Sequence, residues 1–263
     1  MSLQRDGVDP IVFDLGTGLR NLGRSWPADL PFRGHALVSH LHWDHIQGLP
    51  FFEPILRSGS SLDVYGPVTE GLRLAEAFDQ FMRRPFFPVT VADLAGAIRF
   101  HDVEPGAFDI GDARVTVRVV PHTGRTFGYR VDVDGVSVAY ISDHQQPGID
   151  DHSVTPDVLE LCRDVDLLIH DAQYDAAAFR HKATWGHCTV EYAVAVAVAS
   201  GARRLALFHH DPAHDDARLA GLLDDARDRA RSTPGLEVLL AVEDLSLELK
   251  GEGRVHAAEV TTN

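Results

Sequence analysis

Short apolar runs separated by turn residues recur along the chain, and their lengths and spacing sort strands from helices. Ile11-Val12-Phe13-Asp14-Leu15 reads as a strand, with Gly16-Thr17-Gly18 as its exit turn. Ala36-Leu37-Val38 is a short buried strand that runs into Ser39-His40-Leu41-His42-Trp43-Asp44-His45. Ile46 to Leu56 reads as a helix interrupted by Pro50 and Pro54. Leu62 to Tyr65 is a strand, and Gly66-Pro67 turns it. Val68 to Met82 is helical by spacing, through Leu72, Leu74, Ala75, Phe78 and Phe81. Pro85-Phe86-Phe87-Pro88 then breaks the helix, and its two aromatics form either a pocket wall or lid, or a cluster packed on the core.

The second half alternates in the same way. Ile98 to Phe100, Val115 to Val120, Gly128 to Val133 and Val136 to Ile141 are strands, the last two joined by the hairpin turn Asp134-Gly135. Pro156 to Arg163 is a helix and Asp166 to His170 a buried strand. Ala193 to Ala199 alternates like a strand, but the length of Thr189 to Ser200, its alanine content and the Gly201 stop favour a helix buried on most faces. Glu191, three after Cys188, looks like a capping box with Cys in the usual Ser place. Leu205 to Phe208 is a strand, Asp216 to Arg231 an amphipathic helix, and Leu236 to Val242 and Leu245 to Leu249 close as strands. The order fits an α/β fold, two sheets flanked by helices in an α/β/β/α sandwich, as one domain over residues 1–263.

Composition narrows this picture. The chain has 263 residues, 44% hydrophobic, which suffices for a well-buried core. Lys and Arg number 24 against 39 Asp and Glu, for a net charge of −15, so there is no overall pull towards nucleic acid or anionic membrane. Two distant cysteines, Cys162 and Cys188, exclude a disulfide scaffold. The N-terminal residues lack the apolar stretch of a signal peptide, and no run of 18 apolar residues exists, so a cytoplasmic protein without membrane spans is expected. Fifteen histidines raise the prior for metal or acid–base chemistry.

That chemistry concentrates in residues 39–45. His40 and His42 are two apart and point the same way in extended chain. Asp44 and His45 come where the chain turns into a helix. Two ligand pairs thus leave one strand-to-helix junction in different directions, which suits two neighbouring metal ions better than one. Imidazole and carboxylate donors suit zinc, with manganese and iron as rivals. Further donors follow apolar strands downstream: His122 in Val120-Pro121-His122, Asp143 in Ile141-Ser142-Asp143-His144, and His209 in Phe208-His209-His210.

The motif His-x-His-x-Asp-His resembles the signature of the metallo-β-lactamase-fold hydrolases, and the downstream donors follow that family's order. The resemblance extends from about Asp9 to His214. It implies one divalent ion on His40, His42 and His122, a second on Asp44, His45 and His209, and Asp143 bridging both. His144 and His210 are the fallback choices, and Asp14 matches a strand-end aspartate beneath the metals. Ile169-His170-Asp171-Ala172 and Gly186-His187-Cys188-Thr189 resemble paired motifs of the ribonuclease Z branch. That likeness implies catalytic roles for Asp44, for His187 as the acid that protonates a leaving oxygen, and for Asp171 as the carboxylate that holds it. Asp171 and Cys188 stand where the branch has Glu and Ser.

The tRNA-processing members carry a long arm between the residues matching His122 and Asp143. Here the interval is 21 positions, room only for a hairpin, so tRNA is not the expected partner. The short interval looks more like the branch's small-molecule phosphodiesterases, such as phosphoribosyl cyclic phosphate phosphodiesterase, whose cysteine-rich zinc site is absent from this sequence. A small cyclic or nucleotide-like phosphodiester is therefore the expected substrate, with Arg125 as a phosphate contact. The alternatives are a lactonase or thioesterase on the same ligands, or an iron-bound redox member. Relatives usually begin with a further hairpin, and only ten residues precede Ile11, so that hairpin is expected to be short or missing. Homo-oligomers are frequent in the superfamily, and an edge left open by the short N-terminus would favour one.

Overall fold

The computed structural model describes residues 1–250 and 257–262. The chain forms two compact units, each built on one seven-stranded sheet with helices against it. Unit 1 contains Met1–Glu104 and Glu243–Asn263; unit 2 is the intervening Pro105–Val242.

In unit 1, β1 (Ser2–Arg5) and β2 (Val8–Phe13) pair antiparallel, with Leu3 opposite Ile11. Gly7 supplies the positive φ of their tight turn. The N-terminal hairpin is therefore present, and its first strand is only four residues long. Next come β3 (Arg33–Leu37), β4 (Ser61–Pro67) and β5 (Ala97–Val103), each parallel to its predecessor. Helices α1 (Leu19–Ser25), α2 (Trp43–Ile46) and α3 (Leu74–Phe81) lie in the connections. Val12, Leu15, Phe32, Ala36, Phe52, Val64 and Phe78 belong to one buried cluster.

Two helices differ from the sequence reading for identifiable reasons. Beyond α2 the chain forms 3-10 turns at Leu49–Phe51 and Glu53–Leu56, each with its proline in the first turn, where the missing N–H does least harm. The helix read from Val68 starts only at Leu74. Glu70 and Gly71 both take positive φ and close a tight turn between Thr69 and Leu72.

Unit 2 runs β6 (Gly106–Ile110), β7 (Ala113–Val120), β8 (Thr126–Val133), β9 (Val136–Ile141), β10 (Leu167–Asp171), β11 (Arg204–Phe208) and β12 (Glu237–Leu240), adjacent in that order. The pairs from β6 to β9 are antiparallel and those from β9 to β12 parallel. The parallel strands need crossovers, and helices α4 (Pro156–Cys162), α5 (Ala176–Lys182), α6 (Val190–Ser200) and α7 (Asp216–Ala230) occupy them. The ambiguous alanine–valine run is α6, ended by Gly201 in left-handed conformation. Its N-cap is Thr189, whose hydroxyl accepts the Tyr192 N–H. The Cys188 box does not form, because the Cys188 thiol donates to the Asp171 carbonyl instead.

The chain then returns to unit 1 as β13 (Ser246–Lys250) and β14 (Ala257–Thr261). β14 pairs antiparallel with both β13 and β1, so β1 is not a sheet edge. Both cysteines are buried free thiols. Among the described residues no helix is long and apolar enough to cross a membrane.

Candidate metal centre

Each unit carries at the exits of its strands a set of side chains that could ligate a metal ion. In unit 1 the organising residue is Asp14, one position past β2, where the chain turns through φ 56°. A non-glycine residue held there is uncommon and needs support from its surroundings. Here the turn aims a buried carboxylate at residues 39–45. Asp14 Oδ1 accepts the Ser39 backbone N–H at 2.6 Å, and Oδ2 accepts the Ser39 hydroxyl at 2.8 Å. Oδ2 also meets His45 Nδ1 at 2.8 Å.

These contacts fix tautomers. A carboxylate only accepts, so His45 carries a proton on Nδ1 and its Nε2 faces outward. The Ser39 hydroxyl spends its proton on Asp14, so its oxygen accepts from His40 Nδ1 at 3.0 Å. His40 too carries a proton on Nδ1. Ring centroids of His40 and His42 are 4.4 Å apart, and those of His40 and His45 are 4.2 Å apart. The Asp44 carboxylate lies 3.1 Å from His45 Nε2. All four donors of the motif therefore gather at one strand-to-helix turn. Burial alone would raise the Asp14 carboxyl. The charge and hydrogen bond of His45, with the Ser39 N–H and His40, outweigh it and hold the group below the ordinary carboxylate value.

In unit 2 the donors His122, Asp143 and His209 follow β7, β9 and β11. His122 donates Nδ1–H to the Gly186 carbonyl at 2.7 Å. The loop that supplies this carbonyl is tied down by the two residues after His144. Gln145 accepts the Gly186 N–H at 2.8 Å and donates to the Ala183 carbonyl at 2.7 Å. Gln146 accepts both the N–H and the hydroxyl of Thr189. His209 adopts φ 57°, and its Nδ1 is in hydrogen-bond contact with the Gln173 amide at 2.9 Å.

Asp143, only 2% exposed, presents one oxygen to each imidazole. Its Oδ2 is 3.7 Å from His122 Nε2, and its Oδ1 is 3.8 Å from His209 Nε2. Imidazoles anchored through Nδ1, together with carboxylates, form a donor set that fits zinc or a similar divalent ion.

His187 stands beside these donors. Its Nδ1 meets Asp171 Oδ2 at 3.0 Å, and its ring stacks on that of His209 with centroids 5.0 Å apart. Asp171 is completely buried, and its carboxylate also accepts the backbone N–H groups of His144 and Gln173. The carboxylate thus holds Nδ1–H and turns Nε2 away from itself.

The fallback residues sit elsewhere. His144 is buried in contact with His170 Nε2 at 2.9 Å, and burial, aided by His170 and His122, pushes it well below the ordinary imidazole value. His210 is half-buried, and desolvation pushes it below the ordinary imidazole value. The Arg125 guanidinium lies over the Phe127 ring. Sequence reasoning missed Ser39, Gly186, Gln145, Gln146 and Gln173, which act by gripping the ligand residues. Only Gly186, beside His187, carried a visible signal.

The comparisons with known proteins agree with this geometry. Residues 10–210 match the family model described as beta-lactamase superfamily domain. An uncharacterized protein of Mycobacterium tuberculosis is 31% identical over 217 residues, covering 80% of this chain and 73% of that protein. The metallo-beta-lactamase fold protein YhfI from Bacillus subtilis superposes with a TM-score of 0.65 at 20% identity, covering 92% of this chain and 88% of that one. The short form of human tRNase Z superposes with a TM-score of 0.58 at 25% identity, covering 80% and 85%.

Proposed function

The chain belongs to the beta-lactamase superfamily, and from that premise we propose that it is a binuclear metal-dependent phosphodiesterase acting on a small cyclic or nucleotide-like phosphodiester. Superfamily membership and the donor sets support a metal-dependent hydrolase. In this reading the ligands follow the order that the sequence motifs imply. His40, His42 and His122 hold one ion, Asp44, His45 and His209 hold the other, and Asp143 bridges. Bound divalent ions would supply Lewis acidity and make water a nucleophile near neutral pH.

The observation that carries the choice of phosphodiester is the His187–Asp171 pair. An alkoxide leaving from phosphorus is a poor leaving group and needs a proton, whereas a strained lactone needs one less. Asp171 accepts the His187 Nδ1–H and orients the ring. Nε2–H then donates to the departing oxygen while the Nδ1–H···Oδ2 bond holds the ring. Positioned acids of this kind contribute ~10²–10⁴-fold. The likeness to tRNase Z supports the same chemistry, while the 21-position interval after His122 leaves no room for an RNA-gripping arm.

The test is hydrolysis of bis(p-nitrophenyl) phosphate by protein reconstituted separately with zinc and with manganese, beside a lactone and a thioester. The expected result is metal-dependent turnover of the phosphodiester. His187→Ala should lower it by about two to four orders of magnitude at unchanged metal content. Turnover confined to the lactone or thioester, or a His187→Ala variant as fast as the parent, would discard the proposal.

A further inference from the structure

Unit 1 contains a cavity of about 600 Å³ lined entirely by its own residues, a volume suited to a small organic ligand. Its walls are aromatic: Trp43 from α2, Phe51 from the 3-10 turn, Phe81 from α3, and the Phe86-Phe87 pair between its prolines. Phe51 and Phe87 meet edge to face at 6.0 Å, which joins the two sides. Trp43 and Phe86 are 75% and 77% exposed, an unusual placement for rings of this size at the mouth of a cavity. The lining includes no Asp, Glu, Lys or Arg. Its polar side chains are Gln47 and Gln80, whose amides offer donors and acceptors together. Trp43 lies between His42 and Asp44 in the chain, so the cavity opens beside the ligand motif of unit 1.

From this combination we propose that the cavity is the subsite for a flat, neutral heteroaromatic ring on the substrate, of the nucleobase class. Several aromatic walls suit stacking of a ring. Two amides suit the hydrogen-bonding edge of a base, and an alkyl or acyl chain has no use for them. The absence of charge on the lining excludes the phosphate itself from the cavity, so the phosphodiester remains at the ligand motif. The assignment deepens the phosphodiesterase reading and rests on it for the position of the reacting group, whereas the test concerns ring binding alone.

The probe is adenosine, titrated calorimetrically into the metal-loaded protein at millimolar concentration, with octanoate in parallel. Adenosine carries no phosphate, so its binding is independent of whether bis(p-nitrophenyl) phosphate is hydrolysed. Saturable adenosine binding is expected, weakened about fivefold or more by Gln80→Ala and by Phe86→Ala, both exposed positions whose truncation leaves the core intact. Failure of adenosine to bind, equal binding by the variants, or octanoate binding in its place would each overturn the proposal. In the last case the cavity is an acyl pocket.

Discussion

At the scale of single residues, the candidate ligands are set by partners outside the donor sets. Asp14 holds two imidazoles, one directly and one through Ser39. Asp14→Asn offers a weaker acceptor and is expected to lower metal affinity about 10–100-fold, as removal of such partners typically does; a competitive chelator titration measures it. The same substitution has a defined pH signature in the metal-free protein. The Asp14 pKa is lower folded than unfolded, so its contribution is present above about pH 4 and disappears as pH falls through the folded value. Acid unfolding of Asp14→Asn, followed by circular dichroism, should be less steep than that of the parent. Gly186 is a second such position. It adopts φ 96°, and a Cβ there would come within 2.3 Å of His122 Nδ1. Gly186→Ala should displace His122 and reduce bound metal, read by elemental analysis, while the fold persists. The candidate donors stood out in the sequence because they are His and Asp residues gathered in one motif or following apolar strands. Their supports did not, because Ser39, Gln145 and Gln173 are ordinary polar residues whose role depends on which loop they face.

At the scale of elements, strands were easier to read than helices. Buried strands are short, continuous and apolar, whereas α1 and α5 are brief and mix polar with apolar positions. The strand β6 was missed because it alternates exposed and half-buried residues. Backbone sterics overruled periodicity at Glu70-Gly71. They also bind the exit turn of β2 to the ligand motif. Gly16 faces the Asp44 carbonyl, where a Cβ would lie 2.4 Å away, and a Cβ on Gly48 would lie 1.9 Å from the Gly16 carbonyl. Gly48 also donates its N–H to the Leu15 carbonyl. Gly48→Ala should therefore destabilise the protein by about 1–3 kcal/mol, seen as a lower denaturation midpoint at unchanged slope. The Pro-Phe-Phe-Pro segment, ambiguous in sequence, lines a cavity in the structure.

At the scale of the whole chain, the α/β class and the two sheets were legible, but the division into units was not. It depends on β13 and β14 rejoining β1, a pairing between chain ends that no local pattern announces. The two thiols show how completely the interior is closed. Burial pushes Cys162 up to about 12 and Cys188 well above its ordinary value. At pH 8 neither should react with a disulfide reagent in the native protein, and both should react after denaturation. Fast labelling of either in the native state would contradict that burial.

The pairing of β14 with β1 also orders events during synthesis. Unit 2 is complete once Val242 has left the ribosome, while the first unit begun is the last finished. Until β14 emerges, the backbone of β1 has no neighbour on one side and is a template for other chains. Nascent chains halted before Glu243 should accordingly show a protease-resistant second unit and a cleavable first one. A chaperone that shields open strands should raise the yield of full-length protein more than one that acts after release.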